Sequence, residues 1–259
     1  MTPSGASGEG RGPLDARALA RLARQAGALA LAERREASPE APAVVAARVE
    51  DHVVAHLPAR ARGLTCLSER RASGVGRSVD SALVVSALDG AEAWAAGVPT
   101  WTIALALLEA GKASAGVVYA PAVDDLYVAQ AGVLHWNDER VPAGGLEPAR
   151  TGLVLALADL ARRSPLRLGR RRPALGSPAY HLALVARGAA DGAILEQARL
   201  WDVAAGLALL EASGGEAIDL ATGRSVDLDA WLGGDPPRRL LAARRGARAE
   251  LLQRVRRAS

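Results

Sequence analysis

A chain of 259 residues, half of them apolar and 23% charged, is long enough to bury one large core or two fused halves, and its composition excludes a fibre or a disordered polymer. The net charge of +4 rests almost wholly on arginine, with Lys112 the single lysine. Only 3% of residues are aromatic, so no stacking platform accompanies the charge and nucleic-acid binding is not expected. A lone cysteine, Cys66, excludes an internal disulfide and a thiolate metal cluster, and fits a reducing cytoplasm.

Residues 1–13 are rich in Gly and Ser, lack the apolar core of a signal peptide, and read as a disordered tail. Over 15–36, Leu19, Leu22, Ala26, Leu29 and Ala30 recur at the helical period, which predicts a helix with one buried stripe. Pro39 and Pro42 break it, and a second helix is expected over 43–56, ending before Pro58. The period then shortens. Strands are predicted at 63–67, 81–87, 100–109, 113–119 and 125–129, with Gly111 and Lys112 marking a hairpin, which makes an antiparallel meander. Gly144, Gly145 and Pro148 punctuate the chain, and a boundary near 145 separates an α+β half over 14–145 from an α/β half over 146–259. In the second half, a strand at 153–157, a helix at 177–188, a strand at 192–195, a helix at 202–213 and a strand at 217–219 alternate as in a layered α/β unit. The run Arg162, Arg163, Arg167, Arg170, Arg171 and Arg172 reads as a solvated loop or an anion-facing edge. No apolar stretch approaches the length of a membrane span.

The segment Ser86-Ala-Leu-Asp89-Gly90-Ala91-Glu-Ala-Trp94, followed by Gly97-Val-Pro99 and by Gly116-Val-Val-Tyr-Ala-Pro121, resembles the Asp-Pro-Ile-Asp-Gly-Thr-x-Asn-Phe signature of the inositol monophosphatase superfamily. Trp201-Asp202-Val-Ala-Ala205-Gly206 with Glu211-Ala-Ser-Gly214-Gly215 is similar to that family's second signature, and Gly176-Ser177-Pro-Ala179 to its Gly-Ser-Ala-Ala turn. The resemblance implies a layered αβαβα sandwich, a homodimer, and hydrolysis of a small phosphate ester. In that chemistry, carboxylate-held magnesium ions bind the phosphate, lower the pKa of a water and stabilise the leaving oxygen.

Matched residue by residue, Glu69 stands for the first glutamate of the family's Gly-Glu-Glu, Asp89 for the second aspartate of the first signature and Asp202 for the aspartate of Trp-Asp. These three are the expected catalytic groups, and with Leu88 they are the expected ligands if a metal is retained. The metal-bridging aspartate is Ser86 here, the water-orienting threonine is Ala91, and the second glutamate is Arg70. Arg48 aligns with an outlying acidic position, and Glu196 lies near a substrate-contacting glutamate. Ser86, Gly90, Ala91, Arg48, Arg70, Ser177 and Glu196 are accordingly the expected substrate-binding set. Trp94 and Trp201 are expected in the core, and His135 and His181 in packing or solvent contact.

Serine is a neutral, weak ligand. A guanidinium about 8 Å from a cation site adds roughly 2 kcal/mol of repulsion per unit charge, and twice that for a dication. The losses therefore imply no cofactor or weakly bound magnesium. The expected function is that of a divergent family member whose metal-dependent hydrolysis is impaired or lost, its pocket turned to acid/base chemistry on a small polar or phosphorylated metabolite. A weakened magnesium-dependent phosphatase of a cyclitol, sugar or nucleotide phosphate, and a non-catalytic partner, stay open beside it. Arg48 and Arg70 could replace metal charge, because arginine binds phosphate bidentately without an ion.

Overall fold

The structure, a computed structural model, describes residues 14–36, 40–71, 80–146, 152–156, 174–234 and 236–256. The expected tail, Pro39, Pro148, Leu157 and the arginine run between 162 and 172 lie outside the described residues.

Helix α1 (Ala16–Arg35) begins where the Asp15 carboxylate accepts the Ala18 N–H at 2.8 Å, and Arg34 and Arg35 sit against its carbonyl end. Pro42, expected to interrupt helical structure, instead opens α2 (Pro42–Ala55), because the first position of a helix needs no N–H and suits the fixed φ of proline. Strands β1 (Thr65–Leu67), β2 (Ser81–Asp89), β3 (Thr102–Glu109), β4 (Lys112–Ala120), β5 (Asp125–Gln130), β6 (Val133–Trp136) and β7 (Glu139–Val141) form one sheet in chain order, with the short helix α3 (Ala91–Ala96) between β2 and β3. The meander holds from β2 onward, but β1 pairs with β2 in parallel, and the sheet runs two strands further than its sequence suggests.

A second sheet contains β8 (Val154–Ala156), β9 (Gly192–Glu196), β10 (Glu216–Asp219) and β11 (Arg239–Ala243) in the order β10-β11-β9-β8. Helices α4 (Pro178–Arg187) and α5 (Leu200–Ala212) lie between the two sheets, and α6 (Asp229–Leu232) and α7 (Arg248–Arg256) complete the described elements. Alternation along the strands shows the layers directly. On β2 and β3, Leu83, Val85, Ile103, Leu105 and Leu107 bury against α1 and α2, whereas Ala82, Val84, Ala104, Ala106 and Leu108 join the core shared with α4 and α5. On the second sheet, Leu155, Ala193, Leu195 and Leu240 face that same central core, while Ile194, Ile218 and Leu241 pack with Leu251 and Val255 of α7. The layer order is αβαβα, as the resemblance implied. Among the described residues no helix is long and apolar enough to cross a membrane.

The close approach of α5 to the first sheet depends on Gly116 of β4. A Cβ there would stand 2.7 Å from the Ala205 carbonyl oxygen and 2.8 Å from the Ala208 Cβ, both parts of a rigid helix. Gly116→Ala is expected to destabilise the fold by about 1–3 kcal/mol through overpacking, lowering Tm by roughly 2–10 °C in thermal unfolding.

Candidate functional site

A bulge in β2 assembles the site. Ser86 pairs with Ala104 and Asp89 with Thr102, so β2 carries one extra residue against β3, and side chains three positions apart reach the same face. The chain then turns at Gly90 (φ 89°) into α3. A Cβ at Gly90 would meet the Ser177 Cβ and the Trp101 Cα at 3.3 Å, so a left-handed turn and close packing both call for glycine.

Asp89 is only 5% exposed. Its Oδ2 accepts the Ser177 hydroxyl in a short hydrogen bond and the Ala179 N–H at 2.8 Å, with the Thr102 hydroxyl at 3.4 Å. Ser177 also accepts the Tyr180 N–H at 3.0 Å as the N-cap of α4, so the Gly-Ser turn is the clamp that fixes Asp89. Burial, joined by the negative charge of Asp202, pushes the Asp89 carboxyl up to about 7 against the pull of these donors. Asp202 lies in the first turn of α5, where its Oδ2 accepts the Arg199 N–H at 2.8 Å. Burial raises its pKa too, opposed by that N–H and by the Arg199 charge, with Glu69 adding to the rise.

Arginines hold the remaining carboxylates. Arg199 Nη1 pairs with Glu69 Oε1 at 3.1 Å, and its guanidinium carbon lies 5.6 Å from the centre of the Trp201 ring. Arg70 Nη1 donates to the Ala47 carbonyl at 2.9 Å and to Asp51 at 3.2 Å. Glu50 of α2, 2% exposed, accepts Arg71 Nε at 2.5 Å, and Arg71 also reaches Asp51 at 3.0 Å.

A cavity of about 640 Å³ collects these groups: Ala46 and Glu50 from α2, Glu69 and Arg70 after β1, residues 85–91, and Trp201 with Asp202 from α5. A cavity of similar volume, about 680 Å³, between Leu14, Leu107 and Ala208 contains none of the expected catalytic, metal-binding or substrate-binding residues. Of the residues singled out in the sequence, Glu69, Arg70, Ser86, Leu88, Asp89, Gly90, Ala91 and Asp202 thus share one cavity, and Ser177 reaches it through Asp89. Two do not join them. Arg48 turns to Glu33 at 2.8 Å and Glu40 at 3.5 Å; with Ala46 and Glu50 facing the cavity, a residue two positions on from Ala46 points about 200° away round the helix. Glu196 ends β9 in an ion pair with Arg239 at 2.5 Å. Trp94 is buried as expected, its indole N–H donating to Ala30, whereas Trp201 is partly buried, packing against the central core and also lining the cavity. His181 is fully buried in α4, where its Nε2 accepts the Leu175 N–H at 3.0 Å. His135 lies half-buried on β6.

Glu50 and Arg199 were not found by sequence reasoning. A charged residue in a helix ordinarily reads as solvated, and the one available signal for Glu50 is its place beside the buried stripe Val45, Val49 and Val53. Arg199 gains meaning only from Glu69, 130 residues earlier.

Four carboxylates line the cavity, Glu50, Glu69, Asp89 and Asp202, while three guanidiniums, Arg70, Arg71 and Arg199, line it or pair with its carboxylates, leaving a net charge near −1. Asp51, touched by two of those arginines, extends this only to about −2. Among the described residues no three His, Cys, Asp or Glu side chains converge on a point that could hold a metal ion.

Asp89 also links the site to stability. Its folded pKa of about 7 lies above the ordinary carboxylate value, so its contribution is fully present below about pH 4 and is lost as pH rises through about 7. Compared with Asp89→Asn, which mimics the protonated form, the native protein in chelator should lose on the order of 4 kcal/mol of relative stability between about pH 4 and pH 8. Thermal melts of both proteins across that range measure the difference, and a constant gap would contradict the assignment.

Compared with known proteins, residues 15–258 match the inositol monophosphatase family. An inositol-1-monophosphatase of Mesorhizobium japonicum is 32% identical over 193 residues, covering 69% of this chain and 72% of that protein. A fructose-1,6-bisphosphatase/inositol-1-monophosphatase of Thermotoga maritima is 30% identical over 57% of this chain and 60% of its own length. In three dimensions the fold is similar to a Thermotoga maritima inositol monophosphatase with a TM-score of 0.76 at 21% identity, covering 93% of this chain and 96% of that one.

Proposed function

The chain belongs to the inositol monophosphatase family, and from that premise we propose that its cavity receives a small phosphorylated or otherwise polar metabolite while magnesium-dependent ester hydrolysis is impaired or lost. Family membership supports a phosphatase-like function. The observation that carries the finer reading is the charge inventory: a cavity near −1, with Ser86 and Arg70 where the resemblance implies carboxylates, offers little to offset the four positive charges of two magnesium ions.

The chain's own residues support a different division of labour. Arg70 lines the cavity and Arg199 pairs with its Glu69, and both supply planar donors that match phosphate or carboxylate oxygens. Asp89, buried and clamped by Ser177 and Ala179, holds or releases a proton near neutrality, and Asp202 lies close enough to raise its pKa. Glu69, more exposed, is freed when an anionic substrate takes over Arg199. A buried carboxyl beside a partly buried one suits general acid and base work. One observation favours the runner-up, a weakened magnesium-dependent phosphatase: Glu50 adds a carboxylate to the cavity that the signatures do not contain.

Phosphate release from a panel of cyclitol, sugar and nucleotide monophosphates, with magnesium and with chelator, separates the readings. The proposal expects little magnesium-dependent release, and any turnover to survive chelator and vanish in Asp89→Asn. Magnesium-dependent release abolished by Asp202→Asn would establish the runner-up instead.

A further inference from the structure

A second cavity, about 470 Å³, shares Trp201 with the first as a lining residue. Its walls are unlike those of its neighbour: Trp201, Trp231, Leu67, Leu200, Leu232 and Pro237 present mostly apolar surface, and Arg199 and Arg238 supply its cationic groups. Trp231 is fixed in place, 9% exposed with its indole N–H donating to the Ala198 carbonyl at 2.8 Å. The volume falls in the range of about 300–1,000 Å³ typical of small-molecule sites, and rigid indole faces beside a few polar groups are the usual lining of a site for a flat ring.

The two cavities are joined by shared parts. Trp201 belongs to both linings, Leu67 lines the second and Glu69 the first, and the Glu69–Arg199 ion pair spans the boundary. A ligand with its anionic group in the first cavity would displace Glu69 from Arg199 and extend its remaining body past Trp201. We propose that the second cavity is a subsite for the organic part of the substrate, and that this part is a flat aromatic or heteroaromatic ring and not a polyol. The proposal rests on the reading that the first cavity takes a phosphorylated metabolite. It adds a substrate class to that reading: a polyol would find partners for its hydroxyls only at Gln197, Arg199 and Arg238 among mostly apolar walls, whereas an aromatic ring would bury apolar area there.

Calorimetric titration of the intact protein with 1-naphthyl phosphate, glycerol 2-phosphate and uncharged 1-naphthol tests this without needing turnover. Naphthyl phosphate should bind at least about tenfold more tightly than glycerol 2-phosphate, and Trp231→Ala should erase that advantage while leaving glycerol 2-phosphate affinity unchanged. Because Trp231 is buried, the half-buried Leu232→Glu serves as the second variant and should weaken naphthyl phosphate alone, by a carboxylate placed against the ring. Equal affinities for the two phosphates would overturn the subsite and leave the phosphate reading standing. Binding of naphthol that Trp231→Ala removes, with neither phosphate bound, would uphold the aromatic subsite and overturn the phosphate reading. Loss of ring discrimination in neither variant would place the ring elsewhere and overturn the subsite.

Discussion

Ser86→Asp combined with Ala91→Thr is expected to raise magnesium-dependent phosphate release by at least about tenfold, and adding Arg70→Glu to raise it by roughly another tenfold or more. The bulged end of β2 already presents position 86 on the same face as Asp89, so the new carboxylate would enter the cavity without rebuilding the backbone. Arg70→Glu removes a cation and adds an anion, shifting the local charge by two units. At about 8 Å and an effective dielectric near 20, each unit is worth roughly 4 kcal/mol against a dication before screening, and the exposure of Arg70 reduces that substantially. Initial rates on a monophosphate panel, with and without magnesium, read the outcome. Absence of any gain would mean that the arginine pairs at Glu50 and Glu69, and not the missing carboxylate, set the limit.

Asp125→Ala is expected to cost about 3–6 kcal/mol, lowering Tm by on the order of 10 °C or more in thermal unfolding. Asp125 is 8% exposed and lies away from the cavity. Its Oδ2 accepts the Tyr127 hydroxyl at 2.8 Å and the Tyr180 hydroxyl at 2.7 Å, and its Oδ1 accepts the Trp136 indole N–H in a short hydrogen bond. One carboxylate thereby ties β5, β6 and α4 together, and its removal strands three donors in a low-dielectric interior. Asp125→Asn keeps one accepting oxygen and should lose roughly half as much. A loss below about 1 kcal/mol would show that water or a rotated side chain replaces the carboxylate.

The elements that the sequence made legible are those whose side chains are sorted by burial at a fixed period. The stripe Leu19, Leu22 and Ala26 foretells α1, and the apolar runs of β2 and β3 foretell buried strands of an antiparallel meander. Short elements carried too few residues to show a period: β6, β7, α3 and α6 have four, three, six and four residues and went unread. β11 and α7 lie beyond the last strand read from the sequence, although β11 sits between β10 and β9 in the second sheet. The positions that line the cavity were readable from the signatures because they follow glycines and strand ends in a fixed local order. Their charge partners were not. Arg199 meets Glu69 and Arg71 meets Glu50 only through the folded chain, and the register of α2, set by Pro42 at its first turn, moved Arg48 out of the cavity and Glu50 into it.

Titration of the unmodified protein with manganese, followed by electron paramagnetic resonance of the free ion, tests the charge deficit most directly, since it counts bound cations without requiring catalysis. With so few unpaired anionic oxygens, the expected result is no site filled below about 1 mM manganese. Two ions held per chain at about 10 µM, lost on Asp202→Asn, would contradict it.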